Sequence, residues 1–386
     1  MAQLIPNQSH HFDIPSNIVY LNAATMGPLP RTAAAAGRAG LERKLQPWNI
    51  TSEDFFADTR SIRPKLAQLI NADTDGIAIC PSASYGLATA AQNLPIKAGQ
   101  EILILDDQFP SNVYTWRAAA ERAGAHVRTI GSADSNARLC DQLLDAIGDK
   151  TAIVACGHVR WTDGALIDLE AVGKRAREVG AALVLDLTQS CGAMPFDVEV
   201  IQPDFVVCGG YKWLLGPYSM GFLYAAPQHR DGAPLEQNWI ARKGSENFSG
   251  LTNYQDEFGP GAVRYDMGER SNFALLPALE AAIDLILEWG IEQVAYTLGE
   301  QNKKLCEGLD SIGLRTLPES ERGPHYIGAR LPENTPGDLT KRLEQRNIYV
   351  SRRADSLRIT PHLYNTQADF DLFLEGLTSE ISLASA

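Results

Sequence analysis

Residues 206–217 read VVCGGYKWLLGP and carry Lys212 out of an apolar run between two aromatic neighbours. An amine held in a mostly apolar site has a lowered pKa and can condense with an aldehyde. Twenty-six positions earlier, LVLDLTQS ends an apolar run on Asp186 and places Gln189 three residues on. A carboxylate at the end of a buried strand needs a partner, and a pyridinium nitrogen would serve, with Gln189 bonding a ring oxygen beside it. In ICPSASYGLATAA, a strand-like run passes through small polar residues into a helix. The backbone N–H groups of Ser82 to Tyr85 then form an anion site that needs no lysine. In LDDQFPSNVYTW, Phe109 could lay its ring over a flat molecule. Each feature alone has a plainer reading: a solvated loop lysine, an aspartate capping the next turn, Ser84 as a helix cap, Phe109 as core.

The elements that must position these residues alternate along the chain. From residue 76 to about 225, short apolar runs (GIAIC, EILIL, HVRTI, TAIVAC, AALVLDL, DFVVCGG, MGFLYA) are separated by amphipathic segments. Among these segments are SYGLATAAQNL, VYTWRAAAERAG, ARLCDQLLDAIG and DLEAVGKRAREVG. The pattern predicts crossover units and a mostly parallel sheet covered on both faces. Ligands of such sheets bind beyond the carboxyl ends of the strands, where all four features fall. An imine-forming amine, a carboxylate for a pyridinium, a phosphate cradle and a stacking ring together describe pyridoxal 5′-phosphate.

After residue 275 the texture changes. The segment LLPALEAAIDLILEWGIEQVAYTLGEQNKKLCEGLDSIG has the spacing and length of two helices. HYIGARL, NIYVSRR and LRITPH then read as strands, interrupted by helical GDLTKRLEQR and closed by QADFDLFLEGLTSEI. The expected plan is α/β: an N-terminal segment 1–30 associated with the smaller unit, a large cofactor domain 31–274, and a smaller C-terminal α+β domain 275–386. The polar, Gly-rich stretch 241–272 reads as a long ordered loop system.

Composition narrows the function class. The 386 residues include 47 acidic against 34 basic ones, a net charge of −13 that repels nucleic acid and anionic membranes and favours a small-molecule partner. No basic-then-apolar leader opens the sequence and no apolar run approaches ~18 residues, so neither export nor membrane insertion is expected. Six cysteines without a CxxC pair read as buried, reduced thiols of a cytoplasmic protein, and no metal is expected.

With VYLNAATMGPLP, GHVRW, DLTQS, GGYKW, RYDMGERSNF and LRITPHLYNT in their order, the chain resembles the aminotransferase class V family of fold-type I pyridoxal-phosphate enzymes. That family includes cysteine desulfurases, kynureninases and isopenicillin N epimerase-like proteins. The resemblance implies a seven-stranded, mostly parallel sheet between helices and a homodimer with shared active sites. It implies that Lys212 forms the cofactor imine, Asp186 pairs the ring nitrogen and Gln189 meets the phenolic oxygen. By the same resemblance Ala83, Ser84 and the Tyr211 hydroxyl hold the phosphate, and Phe109 stacks on the ring. His158 and Trp161 fall in a loop flanking cofactor and substrate, although a strand-end role suits His158 equally. Arg358 matches the substrate-carboxylate arginine. Arg270, Ser271 and Asn272 match a segment that reaches the partner's phosphate. Arg352 and Arg353 read either as a second anion site, for a dicarboxylate or sulfonate, or as a solvated basic strand end.

Two departures bear on the reaction. Cysteine desulfurases carry a histidine over the ring and a reactive loop cysteine, where this sequence has Phe109 and SRRADSLR. The expected activity is Cα deprotonation of a small amino acid, with transamination preferred. A lyase acting on C–S bonds or like kynureninase and an epimerase are the alternatives, and a non-catalytic cofactor- or amino-acid-binding protein is the reading from another class.

Overall fold

The computed structural model describes residues 3–131 and 138–385. Its first layer is a seven-stranded sheet of β2 (Ile77–Cys80), β3 (Glu101–Leu105), β4 (His126–Ile130), β5 (Thr151–Gly157), β6 (Ala182–Asp186), β7 (Phe205–Gly209) and β8 (Gly221–Ala225). The order is β2-β8-β7-β6-β5-β3-β4, and only β8 runs antiparallel to its neighbours. Every residue of β2, β7 and β8 is buried, as strands covered on both faces require.

Strand alternation divides the interior into two cores. Ile79, Leu103, Val154, Cys156, Leu183, Leu185, Val206 and Cys208 point to one face. There they meet α2 (Asp54–Leu69), α6 (Leu169–Val179) and α8 (Leu275–Trp289), which also packs on α1 (Arg31–Glu42). Ala78, Ile104, Ile153, Ala155, Val184, Val207 and Leu223 point to the other face, against α3 (Ala83–Asn93) and α4 (Ser111–Ala123). Short α5 (Leu139–Ala146) and α7 (Val198–Ile201) complete the first side. The segment read as helical from Ala137 begins outside the described residues.

A smaller four-stranded antiparallel sheet has the order β12-β13-β10-β9, from β9 (Arg315–Thr316), β10 (Ile327–Arg330), β12 (Ser351–Arg353) and β13 (Ser356–Ile359). Helices α9 (Ile291–Ser311), α10 (Leu339–Gln345) and α11 (Gln367–Ser385) cover it through a third core that includes Leu305, Leu343 and Phe373. The N-terminal segment joins this layer: β1 (Val19–Tyr20) pairs parallel with β11 (Ile348–Tyr349), and Ala23 N donates to Thr360 O at 3.0 Å. Packing passes from the large core to the small one along α9, whose Val294 and Leu298 belong to the first and Leu305 and Leu309 to the second. The unit expected from 275 therefore opens with a helix, α8, that shares the large core, because its apolar face matches the sheet side rather than the small layer. Among the described residues, no helix is long and apolar enough to cross a membrane.

Candidate active site

Strand β6 ends at Asp186 and β7 runs through Gly209 toward Lys212, and the two strands are neighbours with Asp186 in register with Val207. Residues of one sheet face, Gly157, Asp186 and Gly209, therefore reach the same spot beyond the strand ends. There they line a cavity of about 400 Å³ with Ala83, Ser84, Phe109, Trp161, Gln189, Tyr211 and Lys212.

Lys212 is only 7% exposed. Burial, reinforced by the charges of Arg358 and Arg353 and opposed by Asp186, brings its pKa down to about 8. Its Nζ lies 5.5 Å from the ring centroids of both Phe109 and Tyr211. Burial pushes the Asp186 carboxyl above its usual range, against the opposing pull of Thr188 and Lys212. Thr188 N donates to Asp186 Oδ1 at 3.0 Å, and Gly209 N donates to Thr188 Oγ1 at 3.0 Å, so Thr188 ties the two strand ends together. Among the described residues, neither Asp186 nor Lys212 has an ion-pair partner.

Gln189 is fixed at both ends of its amide: Nε2 donates to Ala24 O at 3.1 Å and Oε1 accepts from Trp213 Nε1 at 3.1 Å. The N-terminal segment presses on the lysine itself, since Gly27 N donates to Tyr211 O at 2.9 Å. A Cβ on Gly27 would stand 2.0 Å from the Lys212 carbonyl oxygen, so only glycine allows this approach.

The anion cradle is the N-terminus of α3. Ser82 is its cap, accepting from Tyr85 N at 3.2 Å, so Ser84 is not the cap. The Ala83 and Ser84 N–H groups have no carbonyl of a preceding turn to meet. The Ser84 hydroxyl bonds Ser111 Oγ at 2.9 Å on the cavity wall. Phe109 meets Trp161 edge-on at 5.5 Å, and Trp161 Nε1 donates to Asp107 O. Burial pushes the Tyr211 phenol up to about 12, and its ring packs 4.8 Å from Tyr218.

Arg358 lies behind Trp161, almost fully buried. Its Nε donates to Ser351 Oγ at 2.9 Å, Nη1 to Trp161 O at 2.9 Å and Nη2 to Thr25 Oγ1 at 2.6 Å. Three neutral acceptors orient this cation, and among the described residues no carboxylate neutralises it.

Arg358 does not itself line the cavity but stands behind its Trp161 wall, and four further expected residues lie away from it. His158 follows Gly157 by one position, so strand alternation turns it to the opposite face, where it packs on Phe196 at 6.0 Å. Burial there holds its imidazole neutral, with a pKa of about 4. Arg270 is consumed by an ion pair with the fully buried Asp266, which Arg63 also joins. Ser271 Oγ donates to Phe55 O, and Asn272 Oδ1 accepts from the N–H of Leu275, the first residue of α8, at 2.9 Å. Conversely, Thr25, Thr188, Trp213 and Ser351 brace the site without having been singled out. Thr188 sits inside DLTQS, but Thr25 and Ser351 have no local signal.

The sequence model of the aminotransferase class-V family matches residues 48–373. The chain belongs to that family. It is 27% identical over 384 residues to isopenicillin N epimerase of Streptomyces clavuligerus, covering 94% of this chain and 96% of the relative. A probable cysteine desulfurase of Streptomyces coelicolor is 27% identical, with 93% and 91% covered. Kynureninase of Deinococcus radiodurans is 28% identical, with 71% and 67% covered. A solved structure of a C-DES mutant with glycine covalently linked to its pyridoxal-phosphate cofactor superposes with a TM-score of 0.86. It is 22% identical, with 97% of this chain and 99% of that one covered, and confirms the fold.

This class V chain is a pyridoxal-phosphate-dependent enzyme, and the residues present fit the cofactor. The buried Asp186 carboxylate lacks a cation, the Lys212 amine is poised to lose its proton, and the α3 amides face the same cavity.

Proposed function

We propose that this enzyme transaminates a small amino acid, with Lys212 as the base that moves the substrate Cα proton. The observation that carries the reading is Lys212 itself: a buried amine with a pKa of about 8, facing a cavity that also holds Asp186. Such an amine is a competent base near neutral pH.

Pyridoxal phosphate supplies an electron sink for negative charge at the substrate Cα. Asp186 sets a fixed negative charge against a ring nitrogen, and Gln189 presents its braced amide to a ring oxygen. The amides of Ala83 and Ser84, with the Ser84 and Tyr211 hydroxyls, hold a phosphate. Phe109 and Trp161 wall the cavity against water. Arg358 receives the substrate carboxylate by exchanging a neutral acceptor for a charged one, a stronger bond.

A lyase is the second reading, favoured by the fold's likeness to the cystine C–S lyase C-DES bound to cysteine persulfide, with a TM-score of 0.84 at 21% identity. None of the six cysteines lines the cavity, which argues against a protein-bound sulfur acceptor. Epimerisation is less well supported, because among the described residues Lys212 is the one amine base lining the cavity. The deciding experiment is a single-turnover reaction of the holoenzyme with an amino acid and no keto acid. A transaminase releases one equivalent of keto acid per site and stops. Continued release of pyruvate, alanine or a thiol rejects transamination in favour of a lyase.

The working form is a homodimer in a reducing, cytoplasmic compartment. The free, mostly buried cysteines support the compartment. Exposed Leu41 and Trp239 support the dimer, since they share one groove with Ser271 and Asn272, the segment expected to face a partner copy. Light scattering that returns a 42.1 kDa monomer would reject it.

A further inference from the structure

Two arginines that the reading above does not equally employ converge on Trp161. The guanidinium carbon of Arg358 lies 5.6 Å from the Trp161 ring centroid and that of Arg353 lies 5.4 Å from it. The hairpin explains the convergence. Ser351 pairs across from Arg358, and Arg353 follows Ser351 by two, so strand alternation puts Ser351, Arg353 and Arg358 on one face. Arg352 falls on the opposite face, where it donates to Ala354 O at 2.9 Å and Pro336 O at 3.2 Å.

Arg353 is half-buried, and its Nη1 donates to the Arg352 carbonyl at 2.8 Å. Among the described residues it has no acidic partner. Asp355, two residues on, is engaged with Arg330 at 3.3 Å, and the acids on either side of Trp161's loop are engaged with Arg160, Asp107 at 3.2 Å and Asp163 at 3.7 Å. A chain of net charge −13 thus keeps two unpaired guanidinium groups against one ring of its cavity wall, with the Lys212 amine nearby. Like charges so placed repel, and a single α-carboxylate on Arg358 leaves Arg353 uncompensated.

We infer that the substrate is an amino acid with a second carboxylate on its side chain, which Arg353 binds while Arg358 holds the α-carboxylate. Arg353 thereby determines specificity, presenting a planar fork to the distal carboxylate beside Trp161. The inference rests on the amino-acid-substrate reading above.

The test uses the holoenzyme with aspartate, glutamate and 2-aminoadipate, each compared with its side-chain amide. At least one diacid is expected to exceed its amide in kcat/KM by ~10-fold or more. Arg353→Ala is expected to lower kcat/KM for that diacid by roughly 10- to 100-fold, chiefly through KM, and to affect its amide far less. Arg353→Lys, which keeps charge without the fork, should fall between. Melting temperatures of both variants separate misfolding from lost recognition, and Arg353→Gln repeats the measurement if the alanine variant fails to fold. Amides that match their diacids in the wild type overturn the inference, as does a loss in Arg353→Ala that is equal for diacid and amide. If amino acids neither react nor shift the cofactor absorption, the proposed function fails, and this inference with it.

Discussion

Asp186 and Lys212 share one cavity floor without forming an ion pair: they leave neighbouring parallel strands whose ends Thr188 links, its N–H donating to the Asp186 carboxylate and its hydroxyl oxygen accepting from Gly209 N. The separation preserves two opposite needs. The carboxylate stays available to a cation, and the amine, attracted to Asp186 but not bonded to it, still loses its proton at moderate pH.

Replacement Lys212→Ala removes a group that does chemistry and little packing. Turnover should fall at least ~10³-fold, within the range of a lost general base and nucleophile. Circular dichroism and the melting curve should stay close to those of the wild type. Borohydride reduction followed by peptide mapping checks the site directly, and label on any other lysine rejects it.

The pH dependence follows from the lowered amine pKa. The folded state holds the Lys212 proton only below about 8, and free amine is the nucleophile. The rate at which apo-protein captures pyridoxal phosphate should therefore rise with pH and level off above about 8. An ordinary lysine would keep rising toward about 10.4. The unfolded chain retains this proton up to that higher pH, so the same shift adds stability to the apo-protein as pH rises from about 8 to about 10.4. A capture rate with its midpoint near 10 would show that the amine is not desolvated.

Asp186→Asn leaves the α3 cradle and Lys212 in place but takes away the fixed negative charge. The loss in kcat should be at least ~10²-fold, the scale of one missing charge stabiliser, while cofactor affinity changes much less. Equilibrium dialysis alongside steady-state rates separates the two, and a mutant with near-normal kcat would rule out the counter-charge role.

Asp266 is fully buried between Arg63 and Arg270 and also accepts from Ile79 N at 2.7 Å, anchoring the loop system to β2. Asp266→Asn leaves two buried guanidinium groups without their counter-charge. Such a loss costs about 3–5 kcal/mol. Chemical denaturation should show it; a loss below about 1 kcal/mol would mean that water reaches the arginines.

Local pattern was enough for much of this protein. Alternating apolar runs and amphipathic segments specify a mostly parallel sheet, and strand-end placement singles out Lys212, Asp186, Gln189 and the Ala83–Ser84 turn as candidates, because those cues lie within a few residues of each chemical group. Contacts between distant parts of the chain are a different matter. Arg358 is oriented by Ser351 across its own hairpin but also by Thr25 and the Trp161 carbonyl, both far away in sequence, and nothing near Arg358 in the chain announces those two. His158 shows the same limit at shorter range: a shift of one residue at a strand end reverses the face of the sheet, which only the pleat decides. Arg270 is similar: RYDMGERSN holds its partner Asp266 four residues earlier, but nothing in that stretch reveals that the pair is buried or that the distant Arg63 joins it. The residue types determined which chemistry was available, and the packing of strands, hairpin and N-terminal segment decided which side chains reach it, because burial and hydrogen bonding act through space rather than along the chain.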